Sequence, residues 1–299
     1  MSCRRHGQSG LMNFRSLFAL FVILLKRLFA DEAIPLAGNI AFRMVFSLFP
    51  FLIFLTSLAG FFGSAQLAND VIKFLLGVMP SDVVNPLSSE IISILTVPRA
   101  GLLSLAALLT VWSAMGGVDS VRVSLNRAYD TPETRAFWRL YVQNVLFVIV
   151  TAVMMLAVAL LLVALPTLTL ALEAWAPHRL QDFASINWWR LPLAITLLVI
   201  GLFAAHRFLP NRRLPLRDIA PGIALTVICW LALAIGFSWY LRNFSSFIST
   251  YASLSGLFAA MFFVYLAALV LIFGGEVNRT IMQARQGGLL EKPNPKDLY

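Results

Sequence analysis

Six apolar stretches, each about long enough to cross a lipid bilayer, constrain this chain more than any other feature. They are Ile40–Phe62, Leu102–Val118, Val142–Leu165, Leu191–Leu209, Ile219–Leu241 and Leu254–Glu276. A spanning helix needs about 20 apolar residues to cross the hydrocarbon core. Leu102–Val118 is short, and its helix is expected to run on into water. A soluble chain needs a charged coat, about a quarter of its residues. Here only 12% of the 299 residues are charged and 60% are hydrophobic. Lipid must therefore face much of the surface. The expected fold is all-α: a polytopic transmembrane helical bundle of about six spans.

The N-terminal run Leu17–Leu25 is too short to span and is followed by Lys26 and Arg27. No small-x-small cleavage site sits behind it, which argues against a signal peptide. An amphipathic helix lying at the interface is expected, with a seventh span as the alternative. The chain then divides into a cytoplasmic tail carrying that helix (1–39), a transmembrane domain (40–276) and a C-terminal cytoplasmic tail (277–299). A long outer loop, 63–100, interrupts the domain. Within it Gln66–Leu76 and Val83–Leu95 show helical apolar spacing, broken by Pro80 and Pro86. The second outer loop carries Trp175, Trp188 and Trp189, suited to the headgroup zone.

Loop charge sets the orientation. Seventeen Lys and Arg residues fall before the first span, in 119–141, in 207–218 and after the last span. Five fall on the other side: Lys73, Arg99, Arg179, Arg190 and Arg242. By the positive-inside rule the basic side is cytoplasmic, so both termini are expected inside, in a bacterial-type inner membrane. The net charge of +9 then serves topology and anionic lipid headgroups. Nucleic acid is not expected as a partner. Cys3 and Cys229 form no disulfide framework or metal set.

Charge inside a span is costly and marks a pairing or a function. Arg43 lies near the cytoplasmic end of the first span, either snorkelling to the headgroups or lining an inward-facing cavity. Asp119, Arg122 and Asn126 share one helical face if the second helix continues, and Asp119 can pair with Arg122. Glu276 closes the last span, with Arg43 and Arg122 as candidate partners across the bundle. Gly274 and Gly275 beside it permit close backbone approach. These five residues are the candidate substrate or gating groups, although each also fits a structural role. Pro50 is expected to kink the first span. The Ser- and Thr-rich run Phe244–Tyr251 suits an outer vestibule or a simple hairpin.

Catalytic signatures are missing from the sequence. It holds no P-loop, HExxH, GxSxG or carboxylate cluster, and His6, His178 and His206 are scattered. No enzymatic activity, cofactor or metal is expected.

Several strings in order resemble the YihY/BrkB family of bacterial inner-membrane proteins. They are Asn39–Phe54 with its Ser47–Pro50 turn, Val111–Tyr129 followed by Glu133-Thr134-Arg135 and Trp138, Asp218–Trp230 with Pro221-Gly222, and Phe237–Leu257 followed by Phe273–Asn278. The likeness covers roughly residues 30 to 285. Arg43 stands where many relatives carry an uncharged residue. The resemblance implies six spans with both termini inside. It supplies no chemistry, and the family's "ribonuclease BN" label finds no support in the catalytic inventory above. Two functions are expected to compete. One is a transporter or exporter of a lipid-like or anionic substrate. The other is an envelope structural or assembly protein holding partners, or copies of itself as a homo-oligomer, through the outer loop and small-residue faces such as Ala232-x-x-x-Gly236. A membrane-bound nuclease is the least favoured.

Overall fold

The computed structural model of the chain describes residues 14–62, 92, 100–159, 190–243 and 252–285. Among them the regular structure is helical throughout. The helices are α1 (Phe14–Ala30), α2 (Ala33–Phe62), α3 (Ala100–Ala128), α4 (Phe137–Ala159), α5 (Arg190–Phe208), α6 (Leu216–Asn243) and α7 (Ala252–Arg285). Five of them, α2, α3, α4, α6 and α7, are long and apolar enough to cross a membrane. The remaining expected span is the shorter apolar helix Pro192–Phe208 within α5. Among the described residues, five helices of spanning length, one shorter apolar helix and a short N-terminal helix thus make an all-α membrane bundle. The expected outer-loop helices (Ile92 apart), the three outer-loop tryptophans and the run 244–251 lie outside the described residues.

Hydropathy marks where apolar residues run, whereas helices end where backbone caps arise. α2 therefore begins at Ala33, ahead of its apolar run, α3 continues to Ala128, and α7 continues past Glu276 to Arg285. The cap of α3 shows the cause. Asp130 adopts a left-handed φ of 51°, the Thr131 amide bonds back to the Asn126 carbonyl (2.8 Å), and the Asp130 amide bonds to Arg127 (2.9 Å). That pattern closes a helix on a left-handed residue, here Asp in place of the usual Gly. Glu32, at φ 56°, makes the corresponding turn between α1 and α2.

α7 is the hub of the bundle. α6, α2, α3 and α1 all pack against it, α2 and α3 share the longest interface, and α4 and α5 close the side between α3 and α6. Two glycines let α6 and α7 touch backbone to backbone. A Cβ on Gly222 would overlap the Gly274 carbonyl oxygen, and one on Gly274 would stand 2.9 Å from the Gly222 carbonyl oxygen. The buried core gathers at the arginine-rich end, where Ile40, Leu125, Tyr129, Leu214, Ile219 and Ile272 are almost wholly enclosed. Toward the other end the helices turn apolar side chains outward, including Phe46, Phe49 and Leu52 on α2 and Ile228, Ile235 and Trp239 on α6. Such a surface is stable only against lipid or another apolar partner.

Candidate functional site

The polar groups of the spans converge at the arginine-rich end, in two adjoining networks. The first is built on the extension of α3. Arg122, buried on that helix, donates from Nε and Nη2 to Asp119 Oδ1 (3.1 and 2.8 Å) and from Nη1 to Glu133 Oε2. Asn126, a turn further on, donates to the same Glu133 oxygen (3.0 Å) and accepts the Asn211 amide through Oδ1 (2.8 Å). The helical spacing of 119, 122 and 126 places all three on the face toward the α3–α4 turn. That turn returns Glu133 to them. Asn144 of α4 completes the ring by donating to Asp119 (3.2 Å). Arg135 clamps Glu133 through Nε and Nη2 (both 2.8 Å) and also donates to the Leu209 carbonyl (2.8 Å) and Gln143 (2.7 Å). The ring therefore ties α3, α4 and the α5–α6 turn together. Burial alone raises the Glu133 carboxyl pKa. The Arg135 bonds and charge, with the Asn126 bond, outweigh it and hold the carboxyl down at about 2.

The second network lies deeper. The Tyr129 hydroxyl sits 2.7 Å from His206 Nδ1 and accepts a hydrogen bond from Asn278 Nδ2 (2.9 Å). Asn278 Oδ1 in turn accepts the Gly222 amide (2.6 Å). Burial, against the Asn278 bond, pushes the Tyr129 phenol above its ordinary range. His206 and Asn278 are fully enclosed. One chain of bonds thereby links α3, α5, α6 and α7 in an interior where unmade bonds are costly. Beside it lies Glu276, also with no exposed surface, whose two carboxylate oxygens receive no bond from an N–H donor and stand within hydrogen-bonding reach of the Asp31 carboxyl. Its electrostatic neighbours are Asp31, Arg279 and Arg27. Those arginines are engaged elsewhere. Arg279 bridges Asp31 (2.9 Å) and Asp130 (2.8 Å), and Arg27 donates to Thr280 (3.0 Å) and Gln283 (2.6 Å).

With this geometry in place, the sequence comparisons decide the family. The profile of a family described as Virulence factor BrkB matches residues 24–298, nearly the whole chain. The chain belongs to this family. Ribonuclease-like protein YfkH of Bacillus subtilis is 28% identical to it, over 88% of this chain and 96% of the relative. A UPF0761 membrane protein of Alteromonas mediterranea is 25% identical over 89% of this chain and 88% of its own length. A UPF0761 membrane protein of Xanthomonas campestris is 27% identical over 88% of this chain but only 60% of the relative. No solved structure matches the chain.

In this BrkB-family bundle, three of the five candidate residues form one unit: Asp119, Arg122 and Asn126, with the expected i,i+3 ion pair. Glu276 is separate from them. Neither expected partner reaches it, because Arg122 is held by Asp119 and Glu133, while Arg43 bonds to Asn39 (3.1 Å) on its own helix. Arg43 lies exposed over Gly116 of α3. Pro50 stands inside the continuous helix α2. Sequence reasoning passed over Tyr129, His206 and Asn278 as site members. Each reads alone as an ordinary polar residue near a span end, and only the packing of four helices brings them together. Glu133 and Arg135, like Tyr129 and Asn278, stand in strings that resemble the family, which is a signal His206 lacks. Among the described residues no three His, Cys, Asp or Glu side chains group to hold a metal ion.

Proposed function

We propose that this chain is a transporter or exporter of a lipid-like or anionic substrate. In this reading it sits in a bacterial inner membrane with both termini in the cytoplasm. One observation carries the reading. Glu276 is wholly buried in a membrane-crossing helix, with no N–H donor on either carboxylate oxygen and the carboxyl of Asp31 within hydrogen-bonding reach of it. A buried, uncompensated carboxylate costs several kcal/mol, and bundles keep such groups mainly where ions or substrates pass. Arg27 nearby, bonded only to the neutral Thr280 and Gln283, supplies positive charge for an anion, and Glu276 supplies the acid that would take up a coupling proton. The chain has no ATP-binding motif of its own, so a gradient or a partner drives the movement.

The test is reconstitution into vesicles containing labelled phosphatidylglycerol, with Glu276→Gln and Arg43→Ala beside the wild-type chain. Wild type is expected to exchange labelled lipid between leaflets, and Glu276→Gln to lose at least tenfold of that rate while melting at or above the wild-type temperature, since the substitution removes a buried charge. Full exchange by the Gln variant would remove Glu276 from the mechanism. No exchange of lipid, and no uptake of small organic anions by the same vesicles, would overturn transport and leave the envelope-assembly reading in its place.

A further inference from the structure

A groove of about 700 Å³ opens between α4 and α5, beside the first polar network and apart from Glu276. Five arginines line its mouth: Arg135, Arg139, Arg207, Arg212 and Arg213. The positive-inside rule accounts for arginines anywhere along this end of the bundle. It does not account for five of them converging on one apolar-walled groove. Among the described residues no carboxylate pairs with Arg139, Arg207, Arg212 or Arg213. Arg207 gives one bond to the Leu214 carbonyl, which leaves most of its five donors unspent. Arg139 lies over the Trp138 ring, 5.2 Å from its centroid, a contact that holds a guanidinium without neutralising it.

Below the mouth the wall changes character. Val142, Leu146 and Val150 of α4 face the groove with Phe147 beside them, at the spacing of one helical face. From Arg139 to Val150 this face descends about 16 Å at the α-helical rise. One leaflet's half of the hydrocarbon core is about 15 Å deep. A second, shallower groove of about 340 Å³ adjoins the first across the same ridge, sharing Val142 and Leu146. A cationic mouth at the boundary over an apolar channel one leaflet deep matches a phosphate headgroup with its acyl chains. A soluble anion would leave the channel without an occupant.

We propose that this groove is a binding site for an anionic phospholipid, the phosphate held by Arg139, Arg207, Arg212 and Arg213 and an acyl chain lying along Val142, Leu146 and Val150. The proposal concerns binding and goes beyond the transport reading, because the site holds a lipid whether or not Glu276 moves one.

The test is a titration of the purified full-length protein in neutral detergent, followed by thermal melting. The probes are phosphatidylglycerol, phosphatidylcholine and free glycerol phosphate. Two variants accompany wild type. Arg212→Gln/Arg213→Gln removes two exposed guanidiniums, and Leu146→Trp fills the channel with every charge kept. Phosphatidylglycerol is expected to raise the wild-type melting temperature, and phosphatidylcholine to do so at least tenfold less effectively. The double variant is expected to bind at least tenfold more weakly. Leu146→Trp is expected to lose the shift, and both variants to melt as wild type does without lipid. Equal effects of the two lipids, or wild-type affinity in both variants, would overturn the site. A full shift from glycerol phosphate alone would replace the lipid with a free anion.

Discussion

Glu133 shows at the scale of one residue how this bundle organises charge. It stands in a turn, yet it is the acceptor on which Arg122, Asn126 and Arg135 all converge. Those donors favour the ionised carboxylate, so its pKa falls to about 2 from the ordinary 4.5. A carboxylate depressed on folding adds stability above its unfolded pKa, and that stability fades as pH falls through the folded value. The side chain keeps 24% of its surface exposed, so solvent screening holds the contribution to about 1 kcal/mol. The melting temperature of the purified protein is therefore expected to hold above about pH 4.5 and decline toward pH 2. Glu133→Gln is expected to lower it at pH 7 and to flatten the acid decline. A Gln variant with a wild-type melting temperature at pH 7 would show that the ring of donors does not depend on the charge. Tyr129, His206 and Asn278 follow a different logic, since their order comes from bonds among neutral groups sealed from water.

At the scale of the element, the contact between α6 and α7 depends on the absence of two side chains. Gly222→Ala would set its methyl against the Gly274 carbonyl and 2.6 Å from Asn278 Cγ. The helices must then part, which also stretches the Asn278 bond to the Gly222 amide. Overpacking of this kind costs about 1–3 kcal/mol. Gly236, on the same helix, has nothing within 4 Å of an added Cβ. Melting of the two purified variants separates crowding from helix propensity: Gly222→Ala is expected to melt well below wild type, and Gly236→Ala at or slightly above it. Equal behaviour of the pair would mean that the crossing yields freely. The same helices show what a sequence discloses and what it hides. Apolar runs disclosed the spans because lipid acts on every residue alike. The Asp119–Arg122 pair was legible because both partners sit on one helix, at a spacing set by helical geometry. The isolation of Glu276 and the union of Tyr129, His206 and Asn278 were not legible, because each depends on how separate helices rotate and cross. The run of α3 beyond its short apolar stretch was expected from that shortness, whereas the continuation of α7 past Glu276 was hidden, since a polar extension carries no hydropathy signal.

Across the whole molecule, the described turns meet at one end. Arg279 of α7 joins Asp31 in the α1–α2 turn to Asp130 at the end of α3. Arg135 in the α3–α4 turn reaches the Leu209 carbonyl in the α5–α6 turn. Arg285 pairs with Asp218 at the start of α6 (2.8 Å). Ion pairs and hydrogen bonds of this length place these turns on one side of any membrane the bundle crosses. Which side is a separate matter, and the excess of Lys and Arg there predicts the cytoplasm. Single cysteines at Ala30, Ala136 and Pro215, in a chain with Cys3 and Cys229 replaced by Ser, test both statements together. All three positions are exposed. A membrane-impermeant maleimide is expected to label none of them in intact bacterial cells whose outer membrane has been opened, and all three once the inner membrane is permeabilised. Labelling of all three from outside would keep the bundle and reverse its orientation. A mixed pattern would contradict the packing itself, because Arg279 and Arg135 cannot hold those turns together from opposite faces of a bilayer.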